Sequence, residues 1–198
     1  KTDNNSGWSN INVNEYFSSV EPAYFWDGTL TISKLGWLRG LDYYIDGDGS
    51  MLIKLFSSVK LSLANGNEMD QSCLARFLTE TVFFPTYLLK NENITWQELS
   101  DKRIKVSLGN AGKRVSAIFT FDDFGKLLKI ETKDRYRFTE FGLKNPLYTL
   151  FLGDYKWFNG FKVPTYIEME WQLNGKTFKF GKLEIKDVEY DVTELYQD

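Results

Sequence analysis

Phe161-Lys162-Val163-Pro164-Thr165-Tyr166-Ile167-Glu168-Met169-Glu170-Trp171-Gln172-Leu173, followed by Asn174-Gly175 and Lys176-Thr177-Phe178-Lys179-Phe180-Gly181, is the stretch that settles the fold class. Phe161, Val163, Ile167, Met169, Trp171 and Leu173 share one parity, while Glu168, Glu170 and Gln172 take the other. Successive side chains of a strand point to opposite faces, so this alternation describes an antiparallel strand with one face buried. Asn174-Gly175 supplies two residues that tolerate positive φ, as a type I′ hairpin turn requires. The returning strand runs through Phe178, Phe180, Leu183, Ile185, Val188, Tyr190 and Val192. Its parity slips at Gly181 and again near Asp187, which predicts two bulges in a long, bent strand.

The same period extends through most of the chain. Ile104, Val106 and Leu108 alternate with Arg103, Lys105 and Ser107; after Gly109 to Gly112 come Val115, Ala117, Phe119 and Phe121; Asp122-Asp123-Phe124-Gly125 then turns into Leu127 to Phe138. Further strands are expected over Ile11 to Phe17, Tyr24 to Ser33, Leu35 to Ile45 and Leu147 to Phe158. Met51 to Leu63 fits both a helical stripe and a strand, and the strand is preferred. One segment is plainly helical, Met69 to about Phe83: Leu74, Phe77, Leu78 and Thr81 fall on one face, Asp70 or Ser72 is placed to cap the start, and Pro85 ends it. A lone amphipathic helix among strands must lie on a sheet to bury its stripe. The expected fold is therefore mainly β, a strongly curved antiparallel sheet or incomplete barrel of about nine to eleven strands with the helix on its concave face. No repeat, linker or low-complexity tract divides residues 1–198, so one domain is expected, with polar residues 1–7 frayed.

Composition narrows the function. Over 198 residues, Lys+Arg 24 against Asp+Glu 27 leaves a net charge of -3, which excludes nucleic-acid binding by bulk charge and a polybasic membrane surface. Histidine is absent, so His-based triads and His-ligated zinc are excluded; the single cysteine, Cys73, excludes an internal disulfide and a thiolate cluster. No run approaches the roughly 20 apolar residues of a membrane helix. The sequence opens on Lys1 rather than Met, which is read as a processed or trimmed start. Aromatic residues reach 17%, spread over nearly every strand. Two readings of these rings stand side by side: they line an apolar ligand cavity, or they fill the space between a bent sheet and one helix.

Several local patterns have a bland reading beside a chemical one. Asp46-Gly47-Asp48-Gly49-Ser50 opens like a calcium loop but lacks the glycine and glutamate that an EF-hand needs, and a tight hairpin turn explains it better. Gly47-Asp48-Gly49 also lacks the following glycine and lysine of a phosphate-binding loop. Asn93-Ile94-Thr95 matches a glycosylation sequon too short to be specific. Arg76 and Glu80, one helical turn apart, and Asp134-Arg135 on a strand are read chiefly as ion pairs tying helix to sheet; acid–base work in a shared cleft is the alternative. Glu168 and Glu170 are expected on a solvated face, and Cys73 as a small packed residue.

A family then comes into view. Glu21-Pro22-Ala23-Tyr24-Phe25-Trp26, Asp46 to Met51, Arg76-Phe77-Leu78-Thr79-Glu80 with Phe84-Pro85, Leu88-Leu89 and Trp96, Phe121-Asp122 with Gly125, Asp134-Arg135, Gly160 with Pro164, Trp171 and Tyr190 resemble a prokaryotic family known only as a domain of unknown function. The resemblance implies membrane association for its members and carries over no catalytic residue. The strand count, helix and closing hairpin are also similar to the half-barrel of the LolA/LolB lipoprotein carriers, in which a curved sheet wraps a helix and a greasy cavity. Together these give the expected function: a non-catalytic domain of the cell envelope without metal or cofactor, holding a lipid, or a lipidated or hydrophobic partner segment, between helix and sheet. Phe77 and Phe84 would belong to the lid with Leu74, Leu78 and Leu88; Trp96, Trp157 and Trp171 to the wall; and Arg76 or Arg135, beside Glu80, would anchor an acidic head group. A solid-core interaction module and a carboxylate-dependent hydrolase are the alternatives, and a cytoplasmic location is the alternative to the envelope.

Overall fold

The computed structural model describes residues 7–33, 36–89, 92–139 and 142–193. Five strands form a first meander: β1 (Ile11–Phe17), β2 (Tyr24–Ser33), β3 (Gly36–Ile45), β4 (Asp48–Leu55) and β5 (Val59–Ala64). The helix α1 (Asn67–Glu80) and two 3-10 turns, Thr81–Phe83 and Pro85–Leu88, lead into the rest of the chain. There follow β6 (Ile94–Ser100), β7 (Arg103–Asn110), β8 (Lys113–Phe121), β9 (Leu127–Thr132), the short pair β10 (Arg137–Thr139) and β11 (Gly142–Lys144), and then β12 (Tyr148–Phe158), β13 (Phe161–Leu173) and β14 (Lys176–Glu184). A seven-stranded sheet runs β14-β13-β12-β9-β8-β7-β6, with β10-β11 as a separate pair inserted between β9 and β12. Every pairing described is antiparallel, and neither sheet closes into a barrel.

The mainly β fold with one helix against the sheets is the one the sequence leads to. Among the described residues there are fourteen strands rather than nine to eleven; twelve form two main sheets with α1 between them, packed on β3 and β4 on one side and β7 and β8 on the other. The preferred strand over Met51 to Leu63 holds as two strands, joined through Phe56 and Ser57, both at positive φ. Leu127 to Phe138 is not one strand: pairing stops at Thr132 and resumes at Arg137. The bulge at Gly181 is present as a register shift opposite Met169 and Glu170, whereas β14 ends at Glu184, before the second bulge expected near Asp187. Glu170 is buried rather than solvated, and Glu168 is largely covered by Lys179 and Lys182.

The helix starts without the side-chain cap expected of Asp70 or Ser72; its N-cap is Gly66. Both residues are used across the interface instead. Asp70 accepts from the backbone N–H of Gly49 at 2.8 Å and pairs with Lys113 Nζ at 3.2 Å, while Ser72 Oγ accepts from Tyr136 N. Asp46-Gly47 forms the expected hairpin turn, with φ of 54° and 90°. Its glycines have a further use. A Cβ on Gly49 would sit 2.8 to 2.9 Å from Met69 O and the Asp70 Cα, so a side chain there would push α1 off β4. A Cβ on Gly47 would meet Ala111 at 2.4 Å, because the β3–β4 turn abuts the β7–β8 turn and joins one corner of the two sheets. No helix among the described residues is long and apolar enough to cross a membrane.

Candidate functional site

Alternation and register define the inner face of the first sheet. Glu15, Trp26, Asp42, Met51 and Ala64 are successive partners across β1 to β5, and Phe17, Tyr24 and Tyr44 form the next row, under α1. Leu74, Phe77 and Leu78 on the helix have no surface reachable by water. A void large enough for water would register at those side chains, so the volume they occupy is solid core. Phe77 packs edge-on to Tyr87 at 4.9 Å and against Phe84 at 5.4 Å.

Arg76 leaves the helix into a set of acids. Its Nε donates to both Glu80 oxygens at 2.9 and 3.1 Å, Nη1 to Asp42 at 2.6 Å and Nη2 to Glu15 at 2.7 Å. Its guanidinium stacks over Tyr24 and Trp26, at 5.0 and 5.4 Å from their centroids. Asp42 also accepts from Tyr24 Oη at 2.6 Å and from Cys73 Sγ at 3.5 Å. Burial holds the Glu15 carboxyl well above the ordinary carboxylate range; Arg76 opposes this, and Glu80 and Asp42 reinforce it. Burial raises Glu80 in the same way against the pull of Arg76 and Arg135. Burial and the Asp42 charge push the Cys73 thiol up, which makes it a packed group and not a nucleophile.

The residues singled out in the sequence therefore divide. Arg76, Phe77, Glu80 and Phe84 gather around α1, and Arg135, which with Asp134 lies in the segment between β9 and β10 and not on the expected strand, is close enough for its charge to be felt by Tyr148, Glu80, Arg76 and Tyr24. Trp171 is buried against Tyr148 at 4.8 Å. Trp96 on β6 is 50% exposed and Trp157 on β12 is 70% exposed, so they do not join Trp171 in one wall. Asp134 accepts from Ser116 N at 2.6 Å and from Gln71 at 3.5 Å, partners different from those of Glu80.

Sequence reasoning passes over the rest of the inner face. Beyond Trp26 it continues as two rows, Val13, Gly28, Gly40, Ile53 and Ser62, then Ile11, Leu30, Leu38, Leu55 and Val59. Val13, Leu30, Leu38, Ile53 and Leu55 are half-buried and lie outside the core, while Ile11 and Val59 are more than a third exposed. Gly28 and Gly40 leave space for the Trp26 ring, since a Cβ on Gly28 would overlap it at 2.2 Å and one on Gly40 would touch it at 3.0 Å. Trp26 thus lies across the sheet as the boundary between the packed half under the helix and an open apolar half. The available signal was the facing pair Gly28 and Gly40, together with Asp42 at inward parity among apolar residues. Two other surface clefts, of about 410 Å³ beside the β7–β8 turn and about 530 Å³ between Tyr155, Tyr166 and Ile185, are lined mainly by polar groups.

The model of a family of unknown function, DUF6920, matches residues 1–190, and the chain belongs to that family. No functionally curated protein matches the sequence. Among solved structures, the chain is similar to a LolA superfamily protein from Nitrosomonas europaea, at 12% identity and a TM-score of 0.34, over 91% of this chain and 86% of that one.

Proposed function

We propose that this member of the family binds the hydrocarbon part of a lipid, or a lipidated or hydrophobic segment of a partner, on the open inner face of its five-stranded sheet. The observation that carries the reading is the contrast across Trp26: a water-tight core under α1, and beside it a half-buried apolar face of Val13, Leu30, Leu38, Ile53 and Leu55. Burial of such surface is favourable at about 25 cal/mol per Å², so a hydrocarbon chain laid along two rows gains affinity without any specific polar contact. The role is carrier or receptor, not catalyst. Both Glu80 oxygens accept from Arg76, an arrangement suited to holding helix to sheet. A domain with this ligand class belongs where membranes supply it, at the cell envelope, and fractionation of cells carrying the full-length protein tests that location.

Displacement of a fluorescent fatty-acid probe from purified protein tests the binding. Wild type is expected to bind, and Leu38→Lys and Ile53→Lys to weaken binding several-fold while keeping the fold. The solid packing of Leu74, Phe77 and Leu78 favours a second reading, an interaction module without a small ligand. Failure of wild type to bind any apolar probe would leave that one standing.

A further inference from the structure

The helix meets the first sheet at Gly49, near the start of β4. The opposite end of that sheet carries large apolar side chains into water. Trp37 at the start of β3 is 40% exposed, Phe56 in the β4–β5 turn is 43% exposed, and Ile32 and Val59 are exposed on the same two hairpins. The hairpins form one tip: Phe56 N donates to Trp37 O at 3.2 Å, and the two rings meet edge-on at 5.1 Å. Phe56 and Ser57 hold φ of 52° and 59°, a conformation that disfavours a bulky side chain. Here it presents a ring to solvent, an arrangement that adds nothing to the core.

Behind the tip, on the outer face, runs a row of cations. Arg39, Lys54 and Lys60 are successive register partners across β3, β4 and β5. Arg39 pairs with Asp27, whereas Lys54 and Lys60 face each other and enter no ion pair among the described residues. Like charges directly opposite on a sheet repel. In a chain of net charge -3 they make a local positive site, which an anionic surface neutralises. Tryptophan and phenylalanine ahead of lysine suit a membrane interface: the rings lie at head-group level, and the lysine stems follow apolar surface while the ammonium groups reach phosphate.

We propose that this end of the first sheet docks on an anionic lipid bilayer, Trp37 and Phe56 entering the head-group layer and Lys54 and Lys60 meeting lipid phosphates. The contact is local, which a domain without a polybasic surface allows, and it joins an apolar and an electrostatic signal. It goes beyond the function proposed above. Docking in this way sets the row Ile11, Leu30, Leu38, Leu55 and Val59, the outer margin of the open apolar face, next to the lipid.

Co-sedimentation with vesicles tests the docking, phosphatidylcholine containing phosphatidylglycerol being compared with phosphatidylcholine alone. At about five-fold per lysine, wild type is expected to favour the anionic vesicles by about 25-fold, and added salt should release it. Lys54→Gln and Lys60→Gln should each remove about five-fold, with Tm unchanged or higher because each ends a repulsion. Phe56→Asn should weaken binding about 10-fold, with Tm close to that of wild type because Asn tolerates positive φ. Three variants at separate positions, each with its Tm, guard against one that fails to fold. Failure of wild type to bind anionic vesicles, equal binding to both vesicles, or binding that survives all three substitutions overturns the proposal. Self-association that Phe56→Asn abolishes, without vesicle binding, also overturns it by making the tip a protein interface. The fatty-acid probe is read on the same proteins: probe binding without vesicle binding overturns the docking and leaves the proposed function standing, and vesicle binding without probe binding does the reverse.

Discussion

Replacing Arg76 by methionine is the perturbation whose consequence follows most directly from the geometry. The guanidinium contacts three carboxylates at 2.6 to 2.9 Å, and the Asp42 side chain is only 2% exposed. Methionine restores apolar volume but leaves Glu15 and Asp42 without their cation and Glu80 with only the charge of Arg135. Breaking a buried pair by removing one partner costs about 3–5 kcal/mol, chiefly because the remaining charge is stranded. Loss of stacking on Tyr24 and Trp26 adds about 1 kcal/mol, offset in part by burial of the methionine. The net expectation is a loss of about 4 kcal/mol at pH 7, against a total of about 5–15 kcal/mol for a domain. Urea denaturation followed by tryptophan fluorescence measures it. The loss should shrink as pH falls, because burial already raises the Glu15 and Glu80 carboxyls and they take up protons more readily once Arg76 is gone. Adding Asp42→Asn to Arg76→Met should recover more than about 1 kcal/mol by removing the most buried orphan charge. A loss under about 1 kcal/mol at neutral pH, or no recovery in the double variant, would refute the view that Arg76 neutralises a buried acid cluster.

Glu15 has its carboxyl raised by burial, so the folded state binds a proton more tightly than the unfolded chain does. Its contribution to stability therefore falls as pH climbs from the ordinary carboxylate range to the raised value, and Glu15→Gln should flatten that slope in denaturation measured across pH 4 to 8. Phe77→Ala removes a fully buried ring and is expected to cost about 3–5 kcal/mol by the same urea assay. Gly47→Ala meets both a positive φ and the Ala111 methyl, so a loss of at least about 1–2 kcal/mol and a lower Tm are expected; an unchanged Tm would mean that the two turns do not pack.

Elements with one dry face were legible, because alternation records burial. β13 and α1 are of this kind, and both appear close to their expected limits, whereas β14 ends at Glu184, short of the expected Val192. β6 was not legible: six of its seven residues are exposed, so backbone bonding to β7 holds a strand whose side chains carry no parity. The turn at Phe56 and Ser57 was hidden for a related reason, as residues at positive φ there lack the Asn-Gly signal that marked Asn174-Gly175. Arg76 and Glu80 were legible as a pair from their helical spacing. Their partners Glu15 and Asp42 were not, since only the meander brings β1 and β3 beside α1. The aromatic content did not mark the open face: Phe77 and Trp171 went into the core, Trp96 and Trp157 to the surface, and that face carries aliphatic residues around two glycines.

Paramagnetic quenching of methyl resonances by 16-doxyl-stearate, recorded on purified full-length domain, tests the central claim most directly. Selective broadening of Val13, Leu30, Leu38, Ile53 and Leu55, with Leu74 and Leu78 under the helix left sharp, is the expected result. Broadening centred on the helix side chains, or none above that seen with a water-soluble nitroxide, would contradict it.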